Sequence, residues 1–362
     1  MIYVGMDVSS KSFMVHAING KKKVVFKGEI APTRASLRDL VRKKLGAETK
    51  LVVFEAGNQM KWIADCLKKE QTVMVHVVHP NQVKWIAESG GKKTDKVDAK
   101  KLAELARGDL LPRKVHLVEG KTREMRELVS ARTHMMRRRV GLINTLRGYL
   151  KQEGVKLTEK FFGHEDWREQ LEKKKVSAQL KAIIDAFRKA IDALRESESE
   201  LTERLIGLQD ERTELLETIP AIGKLTSRTV VSALDDVERF GNKKAVACYG
   251  ALSPTVHQSG DELQMGRINR NGRHEVRRVM LQCAHTLARM KSPEATPLRK
   301  FYERIERKRG KKKAVVALSR KLLTVAYGVL KSGEPYDPRK LGARPSTQRP
   351  GAQPRRYVLR AG

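Results

Sequence analysis

The chain has 362 residues and sets 75 Lys and Arg against 42 Asp and Glu, a formal net charge of +33. That excess is far beyond what solubility needs and points to a polyanionic partner; no apolar run approaches the roughly 18 residues of a membrane span, so no membrane association is expected. Cys66, Cys248 and Cys283 form no C-x-x-C ligand motif, and a chain that starts directly on a strand-like run instead of a signal peptide fits a reducing, cytoplasmic setting close to nucleic acid.

Residues 1–30 read as three short strands, over 2–6, 12–18 and 23–30, with turns at Val8-Ser9-Ser10 and Asn19-Gly20. Asn-Gly between alternating apolar runs is the strongest short-range hairpin signal. After Pro32 the residues Leu37, Leu40, Val41 and Leu45 recur at helical spacing, and a strand over 50–55, a helix over 60–69 and a strand over 72–78 follow. Three hairpin strands followed by alternating helix and strand is the element order of an RNase H fold. The predicted class is α/β for this part and mainly α beyond it. His76 and His79 straddle the end of the last strand and read as structural.

From Val97 the pattern is almost continuously helical. A break at Leu110-Leu111-Pro112 precedes a long helix whose apolar face holds Met125, Leu128, Val129, Met135, Met136, Val140, Ile143, Leu146 and Leu150. Its other face holds Arg132, Arg137, Arg138, Arg139 and Arg147, expected at phosphates in so basic a chain; the bland alternative is a solvated face. A second helical stretch over 166–217 has a seam of Leu180, Ile183, Ile184, Phe187, Ile191, Leu194, Leu201, Leu205 and Leu208. The spacing suits a coiled coil or an antiparallel hairpin with the preceding helix, a spacer or dimerisation arm in either case.

At Thr218-Ile219-Pro220-Ala221-Ile222-Gly223-Lys224 the texture changes. Gly223, beside Lys224, opens a helix with free amides for a phosphate, as in a helix-hairpin-helix motif, with Ala221 where that motif usually has its first glycine. Beyond Arg239-Phe240 and Ala251-Leu252-Ser253-Pro254 come a loop at His257-Gln258-Ser259-Gly260 and a glycine-bounded basic turn over 266–273 with Arg267, Arg270 and Arg273. A helix with Arg277 and Arg278 follows. The last thirty or so residues, rich in Pro, Gly and Arg, read as a disordered basic tail.

The chemistry is expected around Lys92-Lys93-Thr94-Asp95-Lys96-Val97-Asp98. Asp95 and Asp98 stand three residues apart, on one face of a helix. Asp7 closes the apolar run over 2–6 and Glu55 the run over 51–54, so each sits at the end of an expected buried strand. Four carboxylates gathered this way repel one another unless cations hold them, and hard oxygen ligands suit Mg²⁺ or Mn²⁺. Paired ions on carboxylates are a common apparatus for cutting phosphodiesters. The bland alternative makes Asp95 and Asp98 partners of a helix macrodipole behind Thr94 as N-cap.

Together these stretches resemble the transposases of the IS one-ten family of bacterial and archaeal insertion sequences, which are bridge-RNA-guided recombinases. Gly5-Met6-Asp7-Val8-Ser9, Phe54-Glu55-Ala56 and Lys93-Thr94-Asp95-Lys96-Val97-Asp98-Ala99 are similar to that family's DEDD acids on an RNase H-like, Holliday-junction-resolvase-like domain. Ile219-Pro220-Ala221-Ile222-Gly223, Arg239-Phe240, Ser259-Gly260 and the 266–272 segment are similar to its second domain, over about residues 1–290 in all. Ala221 and Ala251-Leu252-Ser253-Pro254 vary the family pattern.

The resemblance implies a division into an RNase H-like DEDD domain over 1–110, a helical or coiled-coil segment over 111–217, a serine transposase domain over 218–330 and a basic tail over 331–362. It implies Asp7, Glu55, Asp95 and Asp98 as metal-binding catalytic acids and Ser259 as the nucleophile that joins covalently to DNA. Ser253 is the nearest rival, although Pro254 beside it suggests a structural turn. The implied partners are a guide RNA, donor and target DNA, and further copies of the chain, dimers pairing into a tetramer. Two alternatives stay open on the residues alone: a metal-dependent RNase H-fold nuclease or junction resolvase with no covalent serine step, and a noncatalytic nucleic-acid-binding protein.

Overall fold

The computed structural model describes residues 1–87, 95–259, 262–269, 271–341 and 357–358, with the backbone alone at 84–87, 95–96, 256–259, 262–265 and 357–358. The chain divides into two units, Met1–Leu117 and Val118–Gly362.

In the first unit β1 (Ile2–Val8), β2 (Phe13–Asn19) and β3 (Val24–Ile30) precede α1 (Arg34–Asp39), which continues into a wider turn over Leu40–Lys44. Then come β4 (Lys50–Glu55), α2 (Met60–Leu67), β5 (Val73–Val78), α3 (Pro80–Ala87) and α4 (Asp95–Arg107). The sheet order is β3-β2-β1-β4-β5, with β1 antiparallel to β2 and parallel to β4. Side chains alternate across a pleated sheet. Ile2, Val4 and Met6 of β1 and Val52 and Phe54 of β4 therefore pack with Leu37, Leu40, Ile63 and Leu67 on one face. On the other face Tyr3, Leu51 and Val53 meet Leu102 and Ala106 of α4. This five-stranded mixed sheet with helices fits the expected RNase H-like class.

The Asn19-Gly20 hairpin forms, but its turn is longer than two residues. Asn19 Oδ1 accepts from the amides of Lys21 and Lys23, each at 3.0 Å, and the left-handed residue is Lys22 (φ 64°). The asparagine side chain organises the turn, and the glycine is not in the left-handed region.

The second unit begins with α5 (Gly120–Gln152). The helical stretch expected over 166–217 holds three helices: α6 (Trp167–Glu172), α7 (Ala178–Gly207) and α8 (Glu211–Glu217). Breaks fall where Ser177 caps α7 and Asp210 caps α8, each side chain accepting a backbone amide of its own helix. Of the two packings the seam allowed, the antiparallel hairpin forms: Arg132 reaches Glu198 and Thr202, while Ile143, Leu146 and Leu150 share a core with Leu180, Ile184 and Ile191. Val140, assigned to the apolar face, is 42% exposed.

Next come α9 (Lys224–Leu234), α10 (Lys243–Tyr249), β6 (Pro254–Ser259), β7 (Glu262–Ile268), α11 (His274–Leu287), α12 (Thr296–Arg309), α13 (Lys311–Ser332) and β8 (Tyr357–Val358), which pairs with β7. α9, α11 and α13 bury one core that includes Val230, Leu234, Met280, Leu287, Leu318 and Leu322. Residues 333–341, assigned to the tail, fold back on this unit: the Tyr336 amide donates to Thr218 Oγ1 at 2.9 Å and its hydroxyl to the Glu294 carbonyl at 3.1 Å. The rest of that tail, apart from β8, lies outside the described residues.

Candidate active site

The first acids are brought together by strand register. β1 and β4 run parallel with Met6 opposite Phe54, so Asp7 and Glu55 are the next residues at the same end of neighbouring strands. By pleat alternation both belong to the face occupied by α4, because Met6 and Phe54 point to the other. Gln59 Nε2 donates to the Ser9 carbonyl at 2.7 Å and so ties the loop after β4 to the turn after β1.

α4 is seated on β1 by the absence of a side chain. A Cβ at Gly5 would stand 1.9 Å from the Ala99 carbonyl oxygen and 2.6 Å from the Ala103 amide nitrogen, so only glycine permits this approach. Ala99, Leu102, Ala103 and Ala106 form the buried face of α4, and Asp98, half-buried, directly precedes Ala99. Asp95 opens the helix; its side chain, like residues Lys92, Lys93 and Thr94, lies outside the described residues. His16, opposite Gly5 in β2, is buried. Burial, with the charges of Lys27 and Lys100, holds its imidazole below the usual value.

Among the described residues no three His, Cys, Asp or Glu side chains are gathered closely enough to hold a metal ion. The donor chemistry nevertheless suits a hard divalent cation: Asp7, Glu55 and Asp98 offer only carboxylate oxygens, and their elements meet on one side of the sheet.

In the second unit the segment read as a loop and a basic turn is a β-hairpin. Ser259 ends β6 and pairs in register with Glu262 of β7; its side chain lies outside the described residues, as do Gly260 and Arg270. The strand places it roughly 17 Å along from Pro254 at about 3.3 Å per residue. The base of the hairpin is gripped closely. Asn269 N–H donates to the Ser253 carbonyl at 2.8 Å and Arg273 N–H to the Tyr249 carbonyl at 2.7 Å. A Cβ on Gly272 would meet the Tyr249 oxygen at 2.7 Å and the Ala251 nitrogen at 2.9 Å.

Beside that base three guanidinium groups surround one phenol, a cluster the sequence reading missed. Arg126 donates to the carbonyls of Ser232 and Ala233, and Arg239 to those of Ala233 and Leu234, so both satisfy the C-terminal end of α9. Arg239 lies 4.0 Å from the Phe240 ring centroid and 4.6 Å from that of Tyr249, and Arg273 Nε donates to the Tyr249 hydroxyl at 3.2 Å. Burial, aided by the Arg273 charge, pushes Arg126 down to about 10, still cationic at neutral pH. Burial by itself would raise the Tyr249 phenol, but the charges of Arg273, Arg126 and Arg239 outweigh it and hold the group below its usual value.

The expected arginine stripe on α5 is largely spent inside the unit. Arg132 and Arg139 grip the two oxygens of the buried Glu198 at 2.9 and 3.0 Å. Arg147 donates to the Glu159 carbonyl and lies 5.2 Å from the Phe162 ring centroid. Of the five, Arg137 and Arg138 are exposed and the others half-buried. A buried carboxylate demands paired cations, which a face assigned from spacing alone does not reveal. Arg267 is exposed and Arg277 half-buried. At the turn between α8 and α9, Ala221 takes a left-handed conformation (φ 68°), and Gly223, with open space around its Cβ position, precedes the exposed Lys224.

Residues 4–154 match a DEDD-type IS110 family described as "Transposase", and residues 213–303 match one described as "Transposase IS116/IS110/IS902 family". The chain is 24% identical over 352 residues to the transposase for insertion sequence element IS1111A of Coxiella burnetii, covering 92% of this chain and 90% of that one. It is 24% identical over 344 residues to a probable family 20 transposase of Pseudomonas aeruginosa, covering 92% and 98%. A shorter stretch of 130 residues is 35% identical to the pilin gene-inverting protein of Moraxella bovis, covering 35% of this chain and 39% of that protein. With one profile on the acid-bearing part, the other on the part that holds the serine hairpin, and transposases aligned along most of its length, the chain belongs to the IS110 family of transposases.

Proposed function

We propose that this transposase is an RNA-guided DNA recombinase that cuts and exchanges strands through a serine-DNA ester, with Asp7, Glu55, Asp95 and Asp98 as its metal-binding acids and Ser259 as its nucleophile. The observation that carries the reading is the seating of α4 on Gly5, which brings the Asp98 helix to the side of the sheet where Asp7 and Glu55 end neighbouring strands. The likeness to a pilin gene-inverting protein, whose name describes DNA inversion, supports strand exchange over simple degradation. The four acids would hold Mg²⁺ or Mn²⁺. Such an ion, when bound, supplies charge stabilisation at a phosphate oxygen.

In this reading the Ser259 hydroxyl gives up its proton to a base and attacks phosphorus. The bond from phosphorus to the 3′ oxygen breaks, the 3′ oxygen leaves as a hydroxyl, and the 5′ phosphate remains esterified to serine. Attack on that ester by the 3′ hydroxyl of another strand restores the serine and joins the new pair without an external energy source. Arg137, Arg138, Arg267, Arg270, Arg273, Arg277, Gly223 and Lys224 are assigned to the nucleic-acid surface, with dimers pairing into a tetramer.

The test is a reaction with donor DNA, target DNA and the RNA encoded beside the gene, stopped in denaturant. DNA attached to Ser259 is expected, absent in Ser259→Ala and retained in Ser253→Ala. Metal-dependent cleavage with no adduct would instead make the chain a hydrolytic nuclease, and specific cleavage by RNA-free protein would refute guidance.

A further inference from the structure

We propose that the corner between α12 and α13, residues 307–313, is a docking surface for the phosphate backbone of duplex DNA. Arg307, Lys308, Arg309, Lys311, Lys312 and Lys313 flank Gly310, six cations with no acid among them. All six are exposed, and among the described residues none forms an ion pair. The nearest acids on α12 are engaged one turn back, Glu303 with Arg299 at 3.4 Å and Glu306 with the Tyr302 hydroxyl at 2.7 Å.

Folding accounts for the first half of this run and not for the second. Arg307, Lys308 and Arg309 end α12, where cations favour the helix dipole. Lys311, Lys312 and Lys313 begin α13, where the dipole is positive, no side chain caps the amides and no acid lies in the first turn. Three lysines there oppose the helix, and the core of α13 starts only at Ala314. Charge placed against local stability, at the corner between helices of 14 and 22 residues, is explained by a polyanion that neutralises it. Lys308, Lys311, Lys312 and Lys313 present point charges, and the corner carries no aromatic or amide side chain, which suits contact with phosphates more than with bases. Duplex DNA is the occupant because the aligned relatives are transposases.

The inference rests on the proposed DNA partnership. Its test reads binding alone, in chelator, on the full-length Ser259→Ala protein with non-cognate duplex DNA. The variant combines Lys311→Gln, Lys312→Gln and Lys313→Gln; the control makes the same exchange at Lys173, Lys174 and Lys175, an exposed run elsewhere. At about 0.9 per phosphate, losing three contacts flattens the log-log salt slope by about 2.7, so from 0.05 to 0.2 M salt the variant loses roughly 40-fold less affinity than its parent. The control should keep the parental slope, and the variant should melt no earlier than its parent. A slope equal to the parent's, or shared with the control, overturns the docking surface. So does earlier melting, or a loss confined to a duplex RNA probe. DNA binding by the parent protein in the same titration keeps the partnership itself intact whichever way the corner falls.

Discussion

In the N-terminal unit the proposed acids come from positions far apart in the chain, residues 7, 55 and 98, and their elements are brought to one side of the sheet by strand register and by one helix seated on one glycine. In the C-terminal unit the assigned nucleophile stands at the end of a hairpin strand, and what the tertiary structure grips is the base of that hairpin, at Tyr249, Ala251 and Gly272. A site of the first kind depends on backbone spacing throughout its unit. One of the second kind depends on the anchoring of a single local element. The same contrast separates the cations: arginines on α5 that look free are bound to Glu198, while the lysines opening α13 are paired with nothing among the described residues.

The strongest way to break this contrast is to neutralise the acids one at a time. Asp7→Asn, Glu55→Gln, Asp95→Asn and Asp98→Asn should each lower strand cleavage by roughly a thousandfold or more, because several kcal/mol of charge stabilisation is removed. RNA binding should be nearly unchanged. Wild-type cleavage by Asp7→Asn and Glu55→Gln in Mg²⁺ would reduce the assembled site to a structural feature.

Gly5→Ala attacks the seat without touching a carboxylate. The added methyl meets backbone atoms that cannot rotate away, so urea denaturation should show a loss of about 2 kcal/mol or more, with cleavage falling as α4 lifts. Gly20→Ala, which meets nothing within 4 Å, should stay within about 0.5 kcal/mol of wild type. Equal stabilities for the two variants would mean that α4 does not approach β1 as described.

The smallest effect sharpens the other side. The folded Tyr249 phenol is held below its usual value of 10.0, so in the window beneath 10 the folded protein binds fewer protons than the unfolded chain. Stability from this group therefore grows as pH rises through the window and is absent below it. Denaturation midpoints of wild type and Tyr249→Phe should separate progressively as pH rises toward 10. A gap that is constant with pH would show that the three arginines do not bear on the phenol.

The placement of the proposed acids on their strands and helix is legible in the sequence because its signals are local and periodic. Asp7 and Glu55 end apolar runs, and two acids three apart share a helix face; each is a statement about neighbours in sequence. Gly5 was quoted only as part of a motif, since nothing in the sequence says that a helix nearly a hundred residues later rests on it. The loop read at 257–260 and the start of the basic turn read at 266–273 belong to a β-hairpin that was not legible, because Pro254, Gly260 and Gly266 punctuate a stretch whose two strands are only six and seven residues long. The pairing of Arg132 and Arg139 with Glu198 was not legible because helical spacing shows which residues share a face and is silent about a carboxylate sixty residues away.

By itself, then, the sequence determined the class of each half, the order of strands and helices in the sheet unit, the acids at strand ends, the likeness to a transposase family and the demand for a polyanion. These follow from backbone periodicity and composition, which act over a few residues or over the whole chain at once. The tertiary structure decided the matters between those scales: which side of the sheet receives α4, that α5 and α7 pair antiparallel, which arginines are consumed by Glu198 and by the end of α9, and that three guanidinium groups crowd Tyr249. Close backbone approach and buried charge pairing join residues whose separation in the chain carries no information about their meeting, and only packing brings them to a few ångströms of one another.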